Sequence, residues 1–469
     1  MTWRRGPYAA SPGSTGARAR NLASRRHIAL LVVGIVALAF NLRAAITSLP
    51  PVFPELSASL RLSSAALAVL ASVPVLCFGV FSAVAAPLSR RFGEERVLEA
   101  ALALLAAGLL LRGALPGVML FPGTVLACAA IAPMNVLLPS LVKRRNPDRA
   151  GLLIGIYLLS LSAGSILSSL IAVPVYRASG GSVRLTLGLW ALPAIAAAVA
   201  WLPQRKYRTM PPGPADAPLD AAPLDAAPLD AAPLDAAPLD AAPLDAAPLD
   251  AAPLGGGSQP GRAGQLRVYR YALAWQVTVF LGLQSLTFYA TLSWLPTMFR
   301  DRGATAVHAG TLLALMNLGG AVTALVIPVL AHRVPSQRGL MVAAIAASAA
   351  GLAGVWFAPL AQSTAWILVL GLGQGAALSL AIYFTLARSP DPLVAASLSA
   401  FAQGTGYLVA TAGPLAVGFL HTATGSWTVP VAALLAVLGG ELVAGWQAAR
   451  AGTLPGPSPG QPGKQPVRP

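Results

Sequence analysis

The chain has 469 residues, of which 56% are hydrophobic and only 10% are charged, and its mean hydropathy is +0.68. Soluble globular proteins carry about 25% charged residues, so this much apolar surface cannot be buried in one water-soluble core and must face lipid. The composition therefore excludes a cytosolic enzyme, a secreted domain and a nucleic-acid-binding protein, although the net charge of +16 alone would suggest the last of these.

Twelve apolar stretches are long enough to cross a bilayer as helices. A hydrocarbon core of roughly 30 Å needs about 20 apolar residues of helix, and backbone groups in lipid must pair within their own segment. We therefore predict an all-α integral membrane protein with twelve transmembrane helices. The predicted spans are 28–50, 64–88, 97–114, 118–141, 150–176, 185–203, 271–298, 309–330, 339–359, 364–387, 394–420 and 427–448.

The positive charges between the spans predict the orientation of the chain. With both termini placed in the cytoplasm, 25 of the 32 Lys and Arg residues lie on the inner side, six lie on the outer side, and Arg43 lies within the membrane. Because cytoplasmic loops are rich in Lys and Arg, we expect a multi-pass plasma-membrane protein with cytoplasmic termini. Arg25 and Arg26 resemble an export signal, but the apolar run that follows is too long for a signal peptide, which indicates an uncleaved first helix.

Residues 204–270 interrupt the apolar pattern with a repeat. The unit Asp-Ala-Ala-Pro-Leu recurs seven times from Asp220 to Leu254. Proline at every fifth position prevents a regular helix, so we predict an extended or disordered cytoplasmic linker. The linker either acts as a tether or docking arm, or is an expanded repeat that the protein tolerates.

The linker separates two halves of similar length and pattern. Each half contains six spans, and Arg-Asn-Pro-Asp at 145–148 follows the fourth span as Arg-Ser-Pro-Asp at 388–391 follows the tenth. Two six-helix repeats indicate a transporter whose halves rock about a substrate site near the bilayer midplane. The predicted organisation is a basic N-terminus (1–27), a first bundle (28–203), the linker (204–270), a second bundle (271–448) and a disordered cytoplasmic tail (449–469).

Arg43 is the strongest candidate for a functional residue. It follows Arg26 by 17 residues, which is about 25 Å along a helix. A charge at that depth is costly and usually faces a cavity or a partner. The planar guanidinium suits an anion or a polar ligand; alternatively, Arg43 binds backbone carbonyls of another helix.

Amide and aromatic side chains within the spans are further candidates. Amides in lipid must find partners, so they either bond across helices or line a cavity. Gln284 lies near Tyr289, and Gln403 precedes Tyr407 by one helical turn, which suits a small planar ligand with polar edges. The candidate set, besides Arg43, is Asn135, Gln284, Tyr289, Gln374, Gln403 and Tyr407.

Glu441 is the only acid well inside a predicted span. An intramembrane carboxylate can act as a proton relay, or it can pair with Trp446, Gln447 or a lipid headgroup. We treat protons as a candidate coupling ion.

Three arginines at the cytoplasmic ends of spans are predicted to act in gating. Arg90 and Arg91 end the second span and Arg333 ends the eighth. Such residues can exchange contacts between conformational states. No metal-ligand cluster or catalytic set of residues is visible in the sequence, so we expect no enzyme activity, metal or cofactor.

Several motifs resemble the CynX/NimT-type branch of the major facilitator superfamily. They occur in both halves, and the first, Asn-Leu-Arg-Ala-Ala-Ile-Thr-Ser, contains Asn41 and Arg43. The matching segments are 41–48, 74–79, 284–289, 294–296, 371–375, 402–408 and 424–427.

The resemblance implies a facilitator fold and transport of a cyanate- or nitroimidazole-like solute. It implies Arg43 as the main binding residue, followed by Gln284, Gln403 and Tyr407, and it adds Asn41. We expect a monomer that moves a small polar or anionic organic solute by alternating access, with the solute and the lipid bilayer as partners and no nucleic acid. A proton-driven drug or metabolite efflux pump of the same fold is the first alternative, and a non-transporting membrane sensor or scaffold is the second.

Overall fold

The computed structural model describes residues 13–146, 149–202, 268–450 and 452–455. The repeat linker thus lies almost entirely outside the described residues, as does most of the C-terminal tail. The predicted spans of the first half are built from eight α-helices. They are α1 Gly13–Thr47, α2 Phe53–Leu60, α3 Ser64–Phe92, α4 Glu94–Ala114, α5 Pro116–Arg145, α6 Ala150–Ala178, α7 Val183–Gly188 and α8 Ala191–Trp201.

The second half has seven α-helices for its six spans. Three of them, α9, α10 and α12, are longer than the predicted spans, because a helix can continue beyond the apolar residues that mark it in the sequence. They are α9 Ala272–Asp301, α10 Ala306–Arg333, α11 Arg338–Phe357, α12 Ser363–Ala387, α13 Pro392–Ala410, α14 Ala412–Thr424 and α15 Thr428–Ala448.

Three predicted spans are not single helices. The first ends at Thr47, and a short 3-10 helix (Pro50–Val52) leads into α2. Proline lacks the N–H that a continuing helix needs, which explains this break. The sixth span is divided between α7 and α8, and the eleventh is divided at Thr411.

Ten segments of the described chain are long and apolar enough to cross a membrane. The other two predicted spans are α9, whose face carries Gln284, Thr287 and Thr291, and the pair α13 and α14. Both pack against helices of the other ten spans. Polar residues lower the hydropathy of α9, and the break between α13 and α14 shortens each of these helices. With these two spans, each half has six.

The two halves repeat the same packing. In each half the first span packs against the fifth and sixth, and the fourth packs against the second and third. The start of the second span is also repeated: Ser63 accepts a hydrogen bond from the amide of Ala66, and Thr305 accepts one from the amide of His308. Side-chain oxygens at this position satisfy amides that lack a helical partner. The internal repeat predicted from the sequence is therefore present in the structure.

The halves join at one end of the bundle, which we call the distal end because it lies away from the start of α1 and the end of α15. There Gly310 packs against the backbone of Ser169, and Gly418 against Ala68. The described contacts thus join the two halves at the distal end.

Candidate functional site

Arg43 connects the two halves at the centre of the molecule. Its Nη1 donates a hydrogen bond to the hydroxyl of Tyr289, on α9, at 3.2 Å. The two residues are 246 positions apart in the chain. Arg43 is half-buried, and its described hydrogen bond goes to a side chain of the other half and not to a backbone carbonyl. Its role in solute binding stays a prediction.

Aromatic side chains surround this guanidinium. The ring of Phe78 lies 6.3 Å from that of Tyr289 and 5.9 Å from that of Tyr407, and the two tyrosine rings are 6.4 Å apart. Tyr157 lies close enough to interact electrostatically with Arg43. Each pair of rings is tilted or edge-on, the arrangement that aromatic quadrupoles favour. We call Arg43, Phe78, Tyr157, Tyr289 and Tyr407 the Arg43 cluster.

The backbone beneath Arg43 is held firmly by α6. Thr47 donates its hydroxyl proton toward the carbonyl of Arg43 (2.9 Å) and lies 2.6 Å from the hydroxyl of Ser168. A Cβ on Gly164 would overlap the carbonyl oxygen of Phe40, so α1 and α6 are in backbone contact. Close packing of this kind fixes the direction in which Arg43 points.

The electrostatics of the cluster favour an anionic or strongly polar ligand. Among the described residues, ion pairs join Arg144, Arg145, Arg300 and His421 to carboxylates, and none involves Arg43. A guanidinium has several N–H donors, and one hydrogen bond from Arg43 is described. A positive charge within a membrane is costly unless it is compensated, so the cluster can gain energy from a negative or hydrogen-bond-accepting solute.

A second buried arginine lies near the first. Arg112, one of the six charges predicted on the outer side, lies in the last turn of α4 at the distal end and is only 1% exposed. Its Nη1 donates to the carbonyl oxygen of Ala45 at 3.2 Å. Arg112 thus supports the backbone of α1 two residues after Arg43. Its position at the end of a predicted span gave no signal that the side chain is buried.

Two of the predicted amides lie apart from the Arg43 cluster. Gln284 is 1% exposed and donates to the backbone carbonyl of Gln374 at 3.1 Å, and Gln374 is 2% exposed and donates to the hydroxyl of Thr291 at 3.2 Å. These contacts lie inside the second half, between α9 and α12. Sequence spacing could not determine which face of α9 each polar residue occupies.

The other predicted binding residues take different positions. Gln403 is half-buried one turn before Tyr407, and its amide donates to Ser399 at 2.9 Å. Asn41 is buried and donates to the carbonyl oxygens of Ala37 and Pro193, which tie α1 to α8 inside the first half. Asn135 is half-buried on α5, and its side chain forms no hydrogen bond with another described residue. Gln403 thus lies one helical turn from a member of the cluster, while the described partners of Asn41 belong to the first half.

The predicted gating arginines, Arg90, Arg91 and Arg333, are exposed. They lie where α3 and α10 end, on the side opposite the distal end, which we call the proximal end. The described contact of Arg91 is with its neighbour Phe92. An ion pair across the two halves lies instead at the distal end, between Glu55 and Arg300. The sequence offers no signal for a pair separated by 245 positions. The gating role of the three arginines stays a prediction.

Phe78 and Tyr157 were not among the sequence candidates. A single aromatic residue in an apolar helix is usually a core residue, and nothing in the local pattern separates these two from others. Phe78 belongs to the segment 74–79, so the motif was the available signal.

Comparison with protein families identifies the chain. Residues 31–414 match the Major Facilitator Superfamily. The chain is 34% identical over 409 residues to the uncharacterized transporter YycB of Bacillus subtilis (strain 168), covering 87% of this chain and 90% of that protein. It is 34% identical to the 2-nitroimidazole transporter of Escherichia coli (strain K12), covering 86% and 91%, and 27% identical to the cyanate transport protein CynX of the same organism, covering 85% and 91%.

Solved structures share the fold at low sequence identity. The nucleoside transporter NupG aligns with a TM-score of 0.63 at 13% identity, covering 88% of this chain and 98% of that one. A bacterial homologue of the lysosomal transporter Spinster, solved inward-facing and unoccupied, aligns with a TM-score of 0.61 at 14% identity, covering 89% and 93%.

The chain belongs to the Major Facilitator Superfamily and is a transporter of the CynX/NimT type. The predictions of family, of a two-halved facilitator fold in a multi-pass membrane protein, and of a transporter in place of an enzyme are confirmed.

Proposed function

We propose that this transporter moves a small planar organic solute with an anionic or strongly polar edge, by alternating access. The observation that carries the proposal is the hydrogen bond from Arg43 to Tyr289, which places an intramembrane cation at the boundary between the halves. A solute bound there would touch both halves, as a site at the pivot of a rocking transporter requires.

The size and shape of the solute follow from the side chains around Arg43. The three aromatic rings contact one another, with centroids about 6 Å apart, so a solute would bind against this aromatic surface beside the guanidinium and not between the rings, which suits a small flat molecule. Ring faces stack on planar ligands, while the guanidinium binds their acceptor edge. The names of two relatives, a 2-nitroimidazole transporter and a cyanate transport protein, describe solutes of this kind.

The transport cycle would reverse the present arrangement of the halves. Glu55 and Arg300 join the halves at the distal end, and in this arrangement the solute would enter from the other end, where α1 begins and α15 ends. The excess of Lys and Arg in the loops of that side supports a cytoplasmic location for it, in the plasma membrane. Opening the distal end while the proximal end closes would expose Arg43 to the other side.

Binding by the purified protein tests this proposal. Thermal unfolding is followed with cyanate, with small carboxylates, and with 2-nitroimidazole and other nitrogen heterocycles. A ligand that binds only the folded state raises the Tm. We expect at least one of these compounds to stabilise the wild type and Arg184→Ala, whose substituted residue is exposed on α7, and to have no effect on Arg43→Ala. Equal stabilisation of wild type and Arg43→Ala would refute the role of Arg43.

A further inference from the structure

The second half contains a buried polar cluster that the Arg43 site does not use. Glu441, on α15, is 1% exposed, and its Oε2 lies 3.4 Å from the hydroxyl oxygen of Thr287, on α9. Gly440 packs near Leu283, which places this turn of α15 directly against α9. Thr287, Gln284 and Thr291 lie on one face of α9 and connect the acid to Gln374 of α12 by hydrogen bonds.

This cluster has more acceptors than donors. The hydroxyl of Thr287 has one proton, and its shorter hydrogen bond, 2.9 Å, goes to the carbonyl oxygen of Gln284. The same proton can also be donated to Oε2 of Glu441, at the longer distance of 3.4 Å, so two acceptors share one donor. The hydroxyl of Thr291 likewise donates to the carbonyl of Thr287 at 2.7 Å.

Two further oxygens in the cluster lack a donor. The Oε1 atoms of Gln284 and Gln374 are buried, and neither has a hydrogen-bond partner among the described residues. An unsatisfied buried acceptor costs about 1–3 kcal/mol. The cluster therefore combines a carboxyl group and two amide oxygens that a positive ligand would satisfy.

Charged groups of the neighbouring helices are engaged elsewhere. On α11, Arg338 lies over the ring of Trp446, 4.7 Å from its centroid. At the distal end of α9, Arg300 pairs with Glu55, and on α14 His421 stacks on Trp427. None of the described ion pairs involves Glu441. An ionised carboxylate in a membrane-spanning helix needs a compensating charge.

We propose that Glu441, Gln284 and Gln374 bind one monovalent cation, either a proton on Glu441 or a Na⁺ ion held by the carboxylate and amide oxygens. Hard oxygen ligands suit Na⁺, and a single carboxylate matches a single charge better than it matches a divalent ion. A small cavity lined by Thr291, Trp294 and Leu434 adjoins the cluster on its distal side. As a coupling site the cluster rests on the proposed transport function, but cation binding can be measured without any solute.

The first arm of the test detects Na⁺. The Tm of the purified protein is measured in increasing NaCl with choline chloride at constant ionic strength, for wild type, Glu441→Gln and Gln374→Leu. A Na⁺ site predicts a rise of roughly 2 °C or more in the wild type at saturation, abolished in Glu441→Gln and reduced in Gln374→Leu. Glu99→Gln, which alters an acid of the first half, should behave as the wild type does.

The second arm detects the proton. The infrared band of a protonated carboxyl group is followed as pH is changed, without Na⁺. A proton site predicts a titrating band in the wild type and in Glu99→Gln that is missing in Glu441→Gln. If Glu441→Gln does not fold, Thr287→Val is used, and it should shift the pH at which the band titrates.

Each outcome decides the proposal. A Na⁺-dependent rise or a titrating band that depends on Glu441 supports it and identifies the cation. The proposal is overturned if Na⁺ raises the Tm of neither the wild type nor Glu441→Gln, and if the infrared titrations of these two proteins are the same. If solute binding depends on Arg43 and both cation tests are negative, the proposed transport function stands and the cation site is refuted. If the cation binds but no solute is transported, the proposed transport function is refuted and the cation site stands.

Discussion

Arg300, in the last turn of α9, forms an ion pair with Glu55 of α2 and so joins the two halves of the molecule at the distal end. The rings of Phe53 and Trp294 lie close by, 6.1 Å apart and edge to face, on the same two elements. The pair is partly buried, so it can hold the distal end closed. It also has to break if the halves are to rock.

Breaking this ion pair should favour the distally open state. A surface ion pair contributes up to about 1 kcal/mol, so losing this partly buried pair in Glu55→Gln should change the ratio of the two states about fivefold or more. The readout is thiol labelling of Ala71→Cys, which lines a small cavity beneath the pair, in a protein whose Cys77 and Cys128 are replaced by serine. We expect faster labelling by an impermeant reagent.

Two variants control for a general effect of lost charge. Glu95→Gln removes the ion pair with Arg145, which lies within the first half, and should leave the labelling rate unchanged. The double variant Glu55→Arg with Arg300→Glu exchanges the two charges, and its labelling rate should return to that of the wild type. Equal labelling of wild type and Glu55→Gln would show that the pair does not hold the distal end closed.

The hydroxyl of Tyr289 should matter more than that of Tyr407. Tyr289 accepts a hydrogen bond from Arg43, whereas Tyr407 contributes a ring contact to Phe78 and Tyr289. Losing the hydrogen bond to a charged group costs about 1.5–3 kcal/mol. Tyr289→Phe should therefore raise the KM for transport by about tenfold or more, and Tyr407→Phe by much less. The opposite order of the two KM values would mean that Arg43 is oriented through Tyr407.

Close packing of α1 on α6 predicts different effects for two glycines of one helix. Gly164→Ala would force Cβ into the carbonyl oxygen of Phe40, while at Gly155 there is open space. Alanine is favoured over glycine in helices by about 1 kcal/mol, but overpacking costs about 1–3 kcal/mol. We expect a Tm lowered by a few degrees in Gly164→Ala, and an unchanged or higher Tm in Gly155→Ala. A Tm for Gly164→Ala as high as that of Gly155→Ala would refute backbone contact between α1 and α6.

Deleting residues 215–257 should leave transport intact. These residues contain the Asp-Ala-Ala-Pro-Leu repeats, and each half packs its own six spans without them. Solute uptake and efflux by the deletion variant in liposomes should match the wild type. Loss of transport with normal membrane insertion would instead support a docking or regulatory function of the repeats.

The sequence was most informative where lipid constrains it. Apolar length and internal pairing of the backbone predict the spans, and the bias of Lys and Arg predicts an even number of them. It was less informative at the ends of helices, where lipid no longer selects the residues. Arg112, at the outer end of the predicted span 97–114, shows this, because it is buried in the last turn of α4 and does not reach the surface.

The candidate site could be predicted only in part, because only some of its residues are unusual inside a membrane span. Arg43 could be recognised because a charge inside a span is rare, and Tyr289 and Tyr407 because they belong to motifs. Phe78 and Tyr157 could not be separated from ordinary core aromatics. The amide of Gln284 turned out to face α12, since helical spacing shows which residues share a face but does not show what that face contacts.

The most direct test of the account is the transport rate of four proteins in liposomes with the solute found by thermal shift. They are the wild type, Arg43→Ala, Arg43→Lys and Arg184→Ala. We predict that Arg43→Ala reduces transport to background, that Arg43→Lys is also impaired because an ammonium lacks the planar fork of a guanidinium, and that Arg184→Ala transports as the wild type does. Transport by Arg43→Ala at the wild-type rate would contradict the central claim that Arg43 binds the solute.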